Sequence, residues 1–140
     1  MNALEKVRQW VQTFHKWEAG NLLYIDYTAA VPGNTGLYPM GMEVLQIREN
    51  ILGGITARCR YRFSLYRVAA GRENREEDAL WLMAFQNWVQ EQSLLGLAPS
   101  FGDEPAREQI RAEKGRLKEG SQTGTGVYAV ELTVEFVKKY

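Results

Sequence analysis

The closing stretch GVYAVELTVEFVKKY, Gly126 to Tyr140, decides the fold. Side chains alternate across an extended strand, so Tyr128, Val130, Leu132, Val134 and Phe136 share one face while Glu131, Thr133 and Glu135 share the other. That pattern predicts a half-buried antiparallel strand. The turn-rich Gly120-Ser121-Gln122-Thr123-Gly124 precedes it, and the polar run Arg107 to Glu119 before that reads as its hairpin partner.

A second hairpin is expected upstream, with strands from about Glu43 to Ile51 and Thr56 to Val68 joined at Gly53-Gly54. Its second strand turns Ala57, Cys59, Tyr61, Phe63 and Leu65 one way and Arg58, Arg60, Arg62 and Ser64 the other. Three arginines in a row on one sheet face form a ladder. Glu43 and Glu49 on the preceding strand, or Glu131 and Glu135 on the last, are its candidate counter-charges. A neighbouring subunit is the main alternative partner, and a phosphate-bearing surface a weaker one.

Two helices complete the pattern. Leu4, Val7, Trp10, Val11, Phe14 and Trp17 recur at helical spacing and predict a helix over 2–17, with Gly20 as its terminator. Asn74 with Glu77 resembles a capping box and starts a second helix near Arg75. Its apolar side carries Leu80, Trp81, Ala84, Phe85, Trp88 and Val89, and Leu94 to Pro99 ends it. Between them, Leu22 to Tyr27 alternates as a short strand. Thr28 to Gly41 holds Pro32, Gly33, Asn34, Gly36, Pro39 and Gly41, which predicts a long loop that can reach a partner through Pro32, Gly33, Asn34, Leu37 and Tyr38. Ser100 to Pro105 is a second loop. The expected fold is α+β: a mainly antiparallel sheet of two long hairpins plus a short strand, with two helices packed on one face.

Length and composition set the class. A chain of 140 residues is about one domain and buries roughly two thirds of its unfolded surface on folding. Seventeen Lys and Arg balance 17 Asp and Glu, so no global field draws it to nucleic acid or membrane. A single cysteine, Cys59, makes no intramolecular disulfide, the start of the chain lacks the apolar run of a signal peptide, and nothing approaches the ~20 apolar residues of a membrane span. These features predict a soluble protein made in a reducing cytoplasm.

Catalytic constellations are missing from the pattern. His15 is the only histidine, too few for a His-based metal site or a nucleophilic triad unless all is built around it. Cys59 falls on the apolar side of a strand, where a thiol is packing. The glycines link strand to strand and match no phosphate-binding loop. Glu76 with Glu77 and Asp103 with Glu104 lie in polar surroundings that raise no carboxyl pKa. Trp10, Trp17, Trp81 and Trp88, at helical spacing, are expected in the core. No enzyme, cofactor or metal is predicted.

The segments RYRFSLYR (60–67), FQNWVQEQ (85–92), Gly96-Leu97-Ala98-Pro99 and VYAVEL (127–132), taken in that order, resemble the phage minor capsid proteins that are similar to tail terminator or tail-completion proteins. The resemblance spans about residues 43–140. It implies a small α+β protein that assembles with itself as a ring, typically a hexamer, on the last ring of the tail tube of a long-tailed bacterial virus. Such a ring stops tube growth and offers a docking surface to the head connector or head-completion protein. Its place is the virion's tail-head junction, after assembly in the bacterial host cytoplasm. It brings no catalytic motif, no membrane and no sequence-specific nucleic acid. A competing expectation is a small hydrophobic-ligand-binding domain whose cavity is lined by Trp81, Phe85, Tyr61 and Phe63.

Overall fold

A computed structural model describes residues 2–17, 23–26, 34–68, 75–120 and 126–140. Helix α1 is Ala3–Val11, strand β1 Leu23–Ile25, strand β2 Thr35–Glu49, strand β3 Ile55–Val68, helix α2 Arg75–Leu94, strand β4 Gln109–Gly120 and strand β5 Gly126–Lys139. The architecture is α+β, with one five-stranded sheet in the order β1-β2-β3-β5-β4 and two helices. All strand pairs are antiparallel except β1 with β2.

The C-terminal strand takes an interior place, between β3 and β4. Strand β5 pairs with β3 from Thr56 opposite Lys139 to Val68 opposite Val127, and with β4 on its other side. Tyr128, Val130, Leu132, Val134 and Phe136 are all buried on the helix side, as the alternation predicts. They join Cys59, Phe63 and Leu65 of β3 in one core that continues into α2 through Trp81, Leu82, Phe85, Trp88 and Val89.

Between the two helices lies an aromatic layer. Phe14 meets Trp81, Phe85 and Trp88 at centroid distances of 5.3 Å each, Trp10 stacks on Trp88 at 4.9 Å, and Trp81 stacks on Phe85 at 5.4 Å. Such ring pairs add to the transfer free energy of their buried area. The Trp10 indole N–H donates to Gln92 Oε1 at 3.0 Å and the Trp81 indole N–H to the Lys16 carbonyl at 3.2 Å. Thus large buried rings keep their polar edges satisfied.

Helix α1 stops earlier than the apolar spacing predicts. Asn2 caps its start by accepting from Glu5 N–H at 2.9 Å. At the other end Thr13 donates through both Oγ1 (2.6 Å) and its backbone N–H (2.9 Å) to the Trp10 carbonyl. A side chain that captures a carbonyl in this way competes with the helical ladder. Phe14 stays buried in a turn beyond the helix. The expected terminator Gly20 and cap Asn74 lie outside the described residues.

The larger departure is at β2. Residues 35–41, expected in the long loop, are strand, and β2 runs from Thr35. Two register shifts, between Pro39 and Gly41 and between Val44 and Gln46, reconcile its sequence with the sheet. Leu37 and Pro39 oppose Leu65 and Phe63 on the helix side; the first bulge then brings Met42 and Val44 there, opposite Tyr61 and Cys59; the second brings Ile47 there, opposite Ala57. Each extra residue inverts the phase of a period-two strand, which keeps Glu43, Gln46 and Arg48 on the polar face. Gly41, at φ 99°, adopts the positive φ that the first bulge requires.

Pro39 is compatible with this strand for a reason found one residue pair away. Asp26 N–H donates to the Leu37 carbonyl at 3.0 Å, so the backbone groups of residue 37 face β1, and by alternation those of Pro39 face the same outer side. The N–H that proline lacks belongs to the sheet edge, not to the β2–β3 ladder.

Candidate partner-binding surface

Cross-strand register determines what the arginine ladder does. Arg60 lies directly opposite Glu135 and Arg62 opposite Thr133, two positions from Glu131. Arg60 binds Glu135 Oε1 through Nη2 at 2.7 Å, and Arg58 binds Oε2 at 3.1 Å, while Arg111 of β4 stands 3.6 Å from Oε1. Arg62 reaches Glu43 at 3.1 Å and Glu131 at 3.4 Å. The ladder is therefore a cross-strand ion network inside the chain, and one carboxylate, Glu135, anchors three strands.

The electrostatics follow the geometry. The hydrogen bond from Arg60, helped by Arg58 and the charge of Arg111, holds the Glu135 carboxyl below the ordinary carboxylate range against the opposing effect of burial. The same bond holds the Arg60 guanidinium above its ordinary value. Glu104 is likewise lowered by Arg107 and Lys139.

The proposed loop contacts fare differently. Pro32 and Gly33 lie outside the described residues. Asn34 is buried at the start of β2 and accepts the Val68 N–H through its carbonyl at 3.0 Å. Leu37 is fully buried in the core, and Tyr38 is half-buried with its ring 4.9 Å from that of Tyr66. Leu37 and Tyr38 belong to the strand and Asn34 immediately precedes it, so the expectation that they form a loop reaching outward is corrected. What the sequence disguised is the apolar alternation of residues 35–39, broken up by glycine and proline.

The aromatic residues suggested for a ligand cavity are packed instead. Phe85, Phe63 and Trp81 are buried, Trp81 lies flat on Phe85, and Tyr61 sits 4.8 Å from Phe63. His15 is exposed beside Phe14, and Cys59 is a buried free thiol. Among the described residues no group of three or more His, Cys, Asp or Glu is placed to hold a metal ion.

The exposed apolar residues concentrate elsewhere. Met40, Met42, Val44, Leu45 and Ile47 of β2, Ile51 and Leu52 of the β2–β3 turn, and Ile55 of β3 are all exposed. Ile51 and Leu52 are 103% and 95% exposed, as open to solvent as a side chain can be. Hairpin turns are normally polar, and this one satisfies its backbone without calling on the side chains at those positions. Asn50 N–H donates to the Gly54 carbonyl, Gly53 N–H donates to the Asn50 carbonyl, and Asn50 Oδ1 accepts from Leu52 N–H at 3.0 Å and Gly54 N–H at 2.8 Å. One asparagine fixes the loop, and two aliphatic side chains stand at its apex.

A second apolar area surrounds the exit of α2. Leu94, Leu95 and Leu97 are exposed there, next to an open groove of about 430 Å³ lined by Lys6, Gln9, Trp10, Thr13, Leu97, Pro99 and Ser100. Sequence inspection missed both areas. Ile51 lay at the presumed end of a strand and Leu52 beside its turn, while Leu94 to Leu97 read only as a helix terminus. The available signal was an Ile-Leu pair immediately before Gly-Gly, where a turn gains nothing from apolar side chains. No protein-family model matches the chain, and no curated protein is significantly similar to it.

Proposed function

We propose that the protein is a structural assembly subunit of the tail terminator or tail-completion type, which forms a ring on the tail tube of a long-tailed phage or prophage and docks to the head connector. The observation that carries this is the apolar surface along β2 and its turn. Its eight large side chains present an area on the order of 800 Å², above what a monomer usually exposes and close to one partner's share of a standard interface. A surface of that kind marks a place where a partner is expected to bind.

A ring requires that one patch on a protomer meet a different patch on the next, and the chain carries two separate apolar areas. The order of its segments resembles the tail-completion proteins, which supplies the tube and the connector as further partners and the tail-head junction of the virion as the location. The arginine network is spent within the chain, so the ring does not depend on it for charge. Light scattering of the purified chain across a wide concentration range, with negatively stained images and a binding assay against the tail-tube protein, tests the proposal. Closed particles with rotational symmetry, or capture by the tube, are expected. A chain that stays monomeric throughout and ignores the tube protein overturns it.

A further inference from the structure

We infer that the Ile51-Leu52 apex of one copy seats in the groove between α1 and the Leu97–Ser100 segment of a second copy, making the head-to-tail contact that closes the ring. This inference rests on the ring proposal and adds its interface. Four observations support it.

The apex is preorganised. Its backbone hydrogen bonds close on Asn50 and Gly54, so docking orders little that is not already ordered, and the entropic cost that usually weakens loop-mediated contacts is reduced. The groove has a complementary character. Trp10, Leu97 and Pro99 give it apolar walls and Lys6, Gln9 and Thr13 a polar rim, and it is shallow and open, as a surface that receives a protruding turn must be. Two branched aliphatic side chains and the turn that carries them fit that description.

Placement favours a second copy over the chain's own groove. Tyr140 N–H donates to the Ile55 carbonyl at 2.8 Å, and Asp103 N–H donates to the Val137 carbonyl at 2.8 Å. The strand that follows the turn and the Phe101–Asp103 segment that follows the groove are therefore both tied to the end of β5. Both apex side chains are fully open to solvent and so are not seated in the chain's own groove. A contact between the apex of one copy and the groove of the next joins two different patches, as a heterologous contact requires. Charge agrees as well. Exposed Glu49 flanks the apex, and Lys6, half-buried with one hydrogen bond to the Ser100 carbonyl at 3.1 Å, flanks the groove. That leaves the ammonium group further donors for an incoming carboxylate.

The test uses two variants of the full chain, Leu52→Asp at the apex and Leu97→Asp at the groove, both at exposed positions and both checked for folding by circular dichroism. Each variant alone is expected to be monomeric. An equimolar mixture is expected to yield dimers and nothing larger, because the groove of the first and the apex of the second remain intact and make one contact that cannot propagate. A parallel mixture of Leu52→Cys with Thr13→Cys is expected to give a disulfide-linked heterodimer under mild oxidation, since the native Cys59 is buried and does not compete. Where the chain assembles only on the tube, the same mixtures are applied to tube-bound protein. Rings that persist in either aspartate variant, or a mixture that stays monomeric and uncrosslinked while the unmodified chain forms rings, overturn the inference and leave the ring proposal standing. An unmodified chain that neither self-associates nor binds tube protein overturns both.

Discussion

Glu135→Gln tests the ion network most directly. The substitution keeps the shape and removes the charge on which Arg58, Arg60 and Arg111 converge at 3.1, 2.7 and 3.6 Å. A hydrogen bond to a charged group contributes about 1.5–3 kcal/mol when well shielded, and the glutamate side chain is only 12% exposed. Arg58 is 54% exposed, however, and water replaces much of its share. The expected loss is therefore about 2 kcal/mol at neutral pH, a fall in Tm of roughly 5–8 °C for a domain of this size, read by urea titration with an unchanged m value. The pH dependence follows from the lowered carboxyl pKa. A carboxyl that ionises more readily in the folded state stabilises it fully above its unfolded value of about 4.3 and loses that contribution as pH falls through the lower folded value. The gap between parent and variant should be constant from pH 6 to 8 and shrink below about pH 4. A loss under about 0.5 kcal/mol, or one indifferent to pH, refutes the assignment of Glu135 as the anchor. An unchanged stability combined with lost assembly would instead move the ladder to the interface.

Two further substitutions probe packing. Gly102→Ala directs a methyl group into the Val137 carbonyl oxygen beside the Phe136 ring, so the Phe101–Asp103 segment must shift; a loss of about 1–3 kcal/mol is expected, read as a lower urea midpoint. Phe85→Ala empties the centre of the aromatic layer, where Phe14, Trp81 and Trp88 all meet the ring, and should cost about 3–5 kcal/mol with a matching change in tryptophan fluorescence; a loss under about 1 kcal/mol would mean the layer is not the core.

The parts of the fold that were legible are those where one local signal had no rival. In β5 the alternation of Tyr128 to Phe136 meets no glycine or proline, and its burial follows directly. That the arginine ladder would find counter-charges inside the chain was readable from the acids on the neighbouring strands, but which of Glu43, Glu49, Glu131 and Glu135 would meet which arginine depends on the register. Residues 35–41 were not legible, because a proline counts against a strand only where its missing N–H would face a paired neighbour, and a glycine counts for little at a bulge. Pro39 sits where its absent N–H faces the edge, and Gly41 sits at a bulge, so both fit a strand that propensity rejects. The shortening of α1 was hidden for a different reason. Phe14 keeps its place in the core whether it is reached through a helix or through a turn, so apolar spacing alone does not distinguish them.

The two edges of the sheet differ in a way that restricts how copies meet. Strand β4 carries Arg111, Glu113, Lys114 and Arg116, an Arg111–Glu113 ion pair of 2.6 Å, two register irregularities and a positive φ at Lys114. Charges and bulges of this kind are what protect an edge from joining another sheet. Strand β2 has the opposite character, with apolar residues from Met40 to Ile47, and among the described residues only its first three positions pair with β1. A bare apolar edge would ordinarily invite a second β2 to extend the sheet, giving a two-fold dimer and no ring. The bulges at Met40 and Leu45 act against that outcome, because a ladder of backbone hydrogen bonds between two copies would be interrupted twice within one strand. The side chains can still be buried, but by packing against a surface that needs no register. That favours a groove over a strand as the receiver of the β2–β3 hairpin, and under the proposed ring it would make the contact between copies one of unlike surfaces.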